Sequence, residues 1–358
     1  ALPELLDACV RALTTDAQAI LAEISGGLDS AIVASSLAPV AGGKVRQWLN
    51  FHAAGGSGDE LVFAREVAAL QGFALTETLK SPLVFSAERV EAGARGLRPG
   101  FNALDSARDR DVAQLTEQLG VDRIVTGQGG DMVFFNTPTP LVAADFLRRA
   151  GPRGLVSPYL AQVSRWTRQS VWRTLGQALD PHAAWPGEAR VASHGWMQGT
   201  AGLPPGKRAH IAVLAQKLTV NIENLRGRRA EVINPLLAQP MVEHCLAIPT
   251  PDLTAGGRDR ALARRAFVAC IPEAVRERRE KGDFSVYYGR AVADGLGFLR
   301  PYLLAGRLAA KGLIDRARFE RLLSEEDLIW RAETAPIMNA LTVEAWVRVW
   351  EARRGSGI

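Results

Sequence analysis

The sequence predicts an α/β fold, a parallel sheet flanked by helices and continued by a mostly helical C-terminal part. Three observations carry that expectation. Over the first 135 residues, short apolar runs alternate with stretches of helical period, the mark of successive βαβ units. Two of the apolar runs lead straight into glycine-rich turns, as parallel strands do where they hand over to a helix. Beyond Met241 the periodicity is helical. At 358 residues the chain has room for a sizeable core.

In order, Pro3 to Thr14 has helical spacing. Ala19 to Ile24 reads as a first strand running into Ser25-Gly26-Gly27, with helical spacing resuming from Asp29 to Leu37. Val45 to Phe51 is a second strand. After Gly55-Gly56-Ser57-Gly58 comes a helix through Leu70, for which Ser57 and Glu60 have the spacing of a capping box. Phe73 to Leu79 is a third strand, Asp105 to Leu119 a helix, and Asp122 to Thr126 a fourth strand ending in Gly127. From Asn136 to about Pro205 prolines and glycines interrupt the pattern, four of the eight tryptophans fall here, and Pro181 to Gly206 reads as a long loop. Helical spacing returns over Arg208 to Leu225, and Glu231 to Ile233 is a short strand before Pro235. This divides the chain into an α/β core (1–135), an irregular tryptophan-bearing insertion (136–207) and a mainly helical part (208–358) that completes one active site.

Composition excludes several classes. No run approaches the roughly 20 apolar residues of a membrane span. Cys9, Cys245 and Cys270 lie far apart with no CxxC, which argues against a disulfide framework or a zinc site. With no secretory leader in view, a cytoplasmic protein is expected. The net charge of +5 comes from 6 lysines and 37 arginines against 38 acidic residues, and the arginines are scattered, so no nucleic-acid partner is expected. The skew makes each lysine conspicuous.

Three segments carry chemistry. Ser25-Gly26-Gly27-Leu28-Asp29-Ser30 stands between a strand and a helix, where free helical amides, glycines and hydroxyls suit a pyrophosphate. Without a lysine or a second spaced glycine it is not a Walker loop. Asp29 would repel a phosphate unless a cation lay between them, which implies magnesium. Thr126-Gly127-Gln128-Gly129-Gly130-Asp131 follows another strand, so Asp131 could meet Asp29 over one metal or could equally be a solvated loop aspartate. Arg279-Glu280-Lys281-Gly282-Asp283-Phe284-Ser285 offers Lys281 to stabilise developing negative charge, or is a solvated charge run.

These segments, in this order and over nearly the whole chain, resemble the synthetase half of the asparagine synthetase family, most closely its lasso-peptide macrolactam synthetase (cyclase) branch. Glu231-Val232-Ile233-Asn234-Pro235-Leu236-Leu237 is similar to the family's glutamate-containing strand, and Arg258 to Ile271 to its arginine-rich helix. The resemblance implies an adenine-nucleotide α-hydrolase-like (ATP pyrophosphatase) fold and ATP-dependent, AMP-forming carbon–nitrogen ligation with Mg2+. Ser25, Gly26, Gly27, Ser30 and Gly129 would cradle the ATP phosphates, with Ile24 and Leu49 offering backbone to adenine. Asp29 and Asp131 would hold magnesium, Lys281 would stabilise transition-state charge, and Glu231 would stand near the attacking amine. Glu231 could instead be a strand carboxylate paired with Arg226, Arg228 or Arg229.

Departures point to the branch. Gln128 stands where asparagine synthetases carry glutamate and β-lactam synthetases a catalytic tyrosine, and an amide cannot serve as that acid or base. Met132, Ala31 and Ala238 are further differences. The family's glutaminase domain is expected to be absent from this chain, so the amine would be the substrate's own. The implied partners are a precursor (core) peptide, a leader-recognition protein and a leader peptidase. Asparagine or β-lactam synthesis, a tRNA-modifying relative and a non-catalytic scaffold are the alternatives.

Overall fold

A computed structural model of the chain describes residues 1–52, 60–100, 106–184, 194–218, 224–278, 285–330 and 333–355. The sheet forms from β1 (Ile20–Glu23), β2 (Val45–His52), β3 (Leu75–Leu79), β4 (Arg123–Val125) and β5 (Glu231–Ile233), in the order β3-β2-β1-β4-β5. All pairings are parallel, with Ile20 of β1 opposite Val45 on one side and Arg123 on the other. Each strand lies within two residues of its expected bounds.

The alternation in β1 explains why it sits in the centre. Ile20, Ala22 and Ile24 pack with α1 (Leu2–Thr14) and α2 (Leu28–Ala41), while Ala19 and Leu21 face the opposite layer with Leu49, Ile124 and Val112 of α5 (Ser106–Leu119). Helix α2 continues through Pro39, four residues past its expected end at Leu37. Glu60 stands at the N-cap position of α3 (Leu61–Gln71) without a side-chain cap hydrogen bond, not three residues into the helix as the expected capping box needs, and its expected partner Ser57 lies outside the described residues. The short α4 (Ala87–Gly93) lies between β3 and α5 in the chain. It joins a separate cluster in which Leu83, Phe85 and Val90 pack against Leu299, Leu303, Leu323, Ile337 and Leu341 of the C-terminal helices.

The stretch 136–207 is where structure and expectation part. It is largely helical: after α6 (Gly130–Val133) come α7 (Leu141–Ala150), α8 (Pro158–Thr167) and α9 (Val171–Leu179). The residues that suggested loops start helices instead. Pro158 occupies the first turn of α8 behind Ser157, whose hydroxyl accepts from Tyr159 N–H, and Ser170 caps α9 through Arg173 N–H. Their apolar faces bury Val142, Ala143, Leu160, Val163 and Ala178 together with Leu253. In the expected loop, Pro181–Ala184 and Gly195–Met197 form helical turns and a helix starts at Pro205, while residues 185–193 lie outside the described part. Among the described residues, no helix is long and apolar enough to cross a membrane.

What this topology positions is a crevice. The chain leaves β1 toward β2 on one side, and β4 later adds on the other, so the carboxyl ends of β1 and β4 flank the point where strand order reverses. Ligands of open parallel sheets bind there.

Candidate active site

Both glycine turns emerge from that point and touch. A Cβ added to Gly127 would stand 2.5 Å from the backbone nitrogen of Ser30, and one added to Gly130 would stand 2.4 Å from Oδ1 of Asp29. These glycines are therefore required by the docking of one turn on the other. Gly26 (φ +86) and Gly129 (φ +105) take left-handed backbone, which brings the chain round into α2 and α6.

Within the first turn, Ser30 Oγ donates to Gly27 O (3.0 Å) and therefore accepts from both Ser25 N–H (3.2 Å) and Ser25 Oγ (3.0 Å). Gly27 N–H in turn donates to Ser25 Oγ at 3.2 Å. The two serines thus brace the loop itself. Gly27 stands at the N-cap of α2 with no side-chain cap hydrogen bond, so the first turn of α2, with the dipole's positive end, suits an anion. Ile24 and Leu49 lie side by side, Ile24 just past the end of β1 but Leu49 inside β2 rather than at its end as expected, and Ile24 N–H donates to Leu49 O at 2.8 Å, so both groups are committed to the sheet. Ile24 O accepts from Nδ2 of Asn50 at 2.7 Å. Asn50 is 1% exposed and its Oδ1 has no hydrogen-bond partner among the described residues.

Asp29 and Asp131 do meet. Arg260 Nη1 donates to Asp131 Oδ1 at 2.7 Å and lies 3.1 and 3.2 Å from the two oxygens of Asp29. Asn136 Nδ2 donates to the same Asp131 Oδ1 at 2.9 Å and fixes its orientation. Arg260 Nε donates to Asp259 (2.8 Å), which also receives Arg264 Nη2 (3.0 Å). Burial alone would lower the Arg260 pKa, but Asp29, Asp131 and Asp259 outweigh it and raise it. Burial pushes the Asp259 carboxyl up, and the guanidiniums of Arg260 and Arg264 overcome this and hold it below its ordinary value.

Beside this cluster lies a cavity of about 440 Å³, within the usual range for small-molecule sites. Gly27 and Leu28 form one wall, Trp166 and Arg168 at the end of α8 another, and Arg260, Arg264 and Arg278 a third. Arg278 is paired with Glu60 at 2.8 Å. Among the described residues, the non-glycine residues with positive φ are Phe135 (65°), Arg168 (55°) and Arg260 (51°). Arg168 and Arg260 line the cavity, and Arg260 N–H reaches Phe135 O at 3.4 Å. Such backbone costs on the order of 1–3 kcal/mol per residue and clusters at functional sites.

Behind α6 stands a buried pair that sequence reasoning missed. His210 Nε2 contacts the carbonyls of Met132 (2.9 Å) and Val133 (3.1 Å), and Lys207 Nζ reaches His210 Nδ1 at 3.3 Å and Ile248 O at 2.6 Å. The two carbonyls require a proton on Nε2, which leaves Nδ1 to accept from the lysine. Burial brings His210 down to about 3 and Lys207 down to about 8.

One expected catalytic residue, Glu231, is not brought to this site. Glu231 is the first residue of β5, opposite Arg123, so in a parallel sheet it sits at the amino edge, away from the glycine turns. It is 67% exposed and its Oε2 lies 3.1 Å from Nε of Arg123, a different arginine from the three considered as partners. The strand's carboxyl end sends Asn234 to the site side, where its Oδ1 accepts from Thr126 Oγ1 at 2.6 Å. Lys281 lies outside the described residues.

Magnesium fits the donor set. Two hard carboxylates from different turns approach one cationic nitrogen within 3.2 Å, and magnesium takes one or two carboxylates together with substrate phosphates. No group of three or more His, Cys, Asp or Glu suited to a metal occurs among the described residues, so phosphate and water oxygens would complete the shell.

A five-stranded parallel sheet under helices, with an anion turn at its switch point, defines an adenine-nucleotide α-hydrolase-like fold. The sequence matches the family model Asparagine synthase over residues 1–348, and the chain belongs to that family. Its class of activity is ATP-dependent amide formation. Comparison with curated proteins returns no match.

Proposed function

We propose that this chain adenylates a side-chain carboxylate of a precursor peptide and closes a macrolactam with that peptide's own α-amine, as in lasso-peptide synthesis. The observation that carries ATP activation is the meeting of Asp29 and Asp131 at one cation beside the cavity walled by Gly27 and Leu28. The peptide reading rests on the Gln128-Gly129-Gly130-Asp131 turn, which has no acid or base at Gln128. It also draws on the placement of Glu231 at the far edge of β5, since neither partner of a catalytic tyrosine–glutamate pair is then in place.

In this reading a carboxylate oxygen of the substrate attacks the α-phosphorus of ATP, and the bond to the bridging oxygen breaks to release pyrophosphate. The amine nitrogen then attacks the acyl carbon, AMP leaves, and the amine proton passes to solvent. Bound magnesium would neutralise phosphate charge. Amides at the start of α2 hold the anion, the Ser25–Ser30 brace keeps the turn rigid, Asn136 orients Asp131, and Lys281 is expected to stabilise the charged transition states.

Incubation of the chain with a leader-free core peptide, ATP and Mg2+ tests the reading. The expected products are AMP, pyrophosphate and a peptide lighter by one water. AMP release with free aspartate and ammonia, and none with peptide, would overturn the peptide reading.

A further inference from the structure

The carboxylates assigned to the metal are already gripped by a cation of the chain. Arg260 Nη1 contacts both Asp29 and Asp131, Nε is anchored on Asp259, and the side chain is 8% exposed. Its left-handed backbone, tied to Phe135 O, leaves the guanidinium aimed between the two turns. A dication taking both carboxylates would stand beside that fixed positive charge in a poorly screened setting, where like charges repel strongly. A polyphosphate changes the balance. The cavity wall carries Arg168, Arg260, Arg264 and Arg278 against Glu60 and Asp259, so an anion there offers Arg260 a new partner.

We propose that Arg260 is an internal counter-cation that competes with the divalent ion for Asp29 and Asp131, so that the metal binds only in company with a polyphosphate. The proposal rests on the assignment of those aspartates to magnesium. It makes Arg260 a positioning residue that sets the order of assembly: nucleotide phosphate and metal enter together.

Mn2+ binding followed by electron paramagnetic resonance, with and without inorganic pyrophosphate, reads this without any turnover. Wild-type chain should bind Mn2+ alone at least about tenfold more weakly than with pyrophosphate present, and R260Q should gain about tenfold in affinity for Mn2+ alone. R260K, which keeps the charge, should stay near wild type. Equal affinity of wild type and R260Q for Mn2+ alone would overturn the competition. Adding Asp29→Asn to R260Q should abolish the gain; if tight binding persists, the ion sits elsewhere and the metal assignment itself fails. Should R260Q not fold, the wild-type titration decides, and Mn2+ bound as tightly without pyrophosphate as with it sinks the proposal.

Discussion

Two buried ion clusters lie near the carboxyl ends of the central strands, and they differ in instructive ways. On the α5 face, Glu23 of β1 is 9% exposed and divided between two arginines, with Oε1 2.6 Å from Arg226 Nη1 and Oε2 3.0 Å from Arg108 Nη2. Burial drives its pKa up, but the two guanidiniums win and hold it below its usual value. Asp109 completes the set, so two carboxylates face two arginines and none of the four lines the cavity. In the other cluster one Arg260 nitrogen bridges Asp29 and Asp131 while Asp259 is shared between Arg260 and Arg264, the Arg260 backbone is strained, and its neighbours wall the cavity. Burial of charge is common to both. Backbone strain and an adjoining cavity belong only to the second, and these separate a reactive site from a structural clamp.

The largest expected effect tests the clamp. Glu23→Ala leaves Arg226 and Arg108 without their shared carboxylate and should lower the unfolding free energy by about 3 kcal/mol in urea denaturation. A loss near zero would mean that the clamp contributes nothing to folding. The same change at the other cluster should behave oppositely. Asp131→Ala frees Arg260 to keep Asp29 and Asp259, so the fold should hold while magnesium-dependent ATP turnover drops by about 10²–10³-fold. Unfolding in step with the loss of turnover would make the second cluster a clamp like the first.

How much of this contrast was visible in the sequence depends on whether the signal was local. Ser25–Ser30 and Gly127–Asp131 were legible because a glycine turn between strand and helix is written in adjacent residues, and the parallel order follows from strand–helix alternation. Arg260 was hidden because Asp29 and Asp131 lie in distant segments, and because the arginine excess that made Lys281 conspicuous camouflaged every arginine. The Asp259-Arg260 pair opening the arginine-rich segment was the available clue. Glu231 lies on the expected strand, but as its first residue it falls at the amino edge of the sheet, a position that strand assignment alone does not reveal. The prolines and glycines after Asn136 read as interruptions of the pattern, although a proline after serine, as at Ser157-Pro158, is a helix start as readily as a turn.

His210 sharpens the comparison from behind. It is neutral in the fold, with its pKa lowered from 6.5 to about 3 by burial first and by Lys207 second. The unfolded chain takes up a proton below pH 6.5 and the folded chain does not, so this contribution to stability is full above pH 6.5 and is lost as pH falls toward about 3. Between pH 7.5 and pH 5 the loss from this group should reach about 2 kcal/mol. In His210→Gln, which retains a donor for the Met132 and Val133 carbonyls, the difference between the two pH values should shrink by that amount. An unchanged pH profile would remove His210 from the support of the Asp131 turn.

The smallest effect separates two kinds of strain. Arg168 shares the left-handed backbone of Arg260 and lines the same cavity, yet no carboxylate of the described residues grips it; it only closes α8, its N–H donating to Arg165 O and Ser164 O. A glycine there avoids the Cβ penalty while losing some backbone entropy, so Arg168→Gly should raise the unfolding free energy by about 0.5–1 kcal/mol. Arg260→Gly should instead be destabilising, because Asp29 and Asp131 lose the guanidinium they share and Asp259 loses one of its two. If Arg168→Gly also destabilises, then the Arg168 side chain supports the fold as Arg260 does, and carboxylate grip is not what distinguishes strained arginines at this cavity.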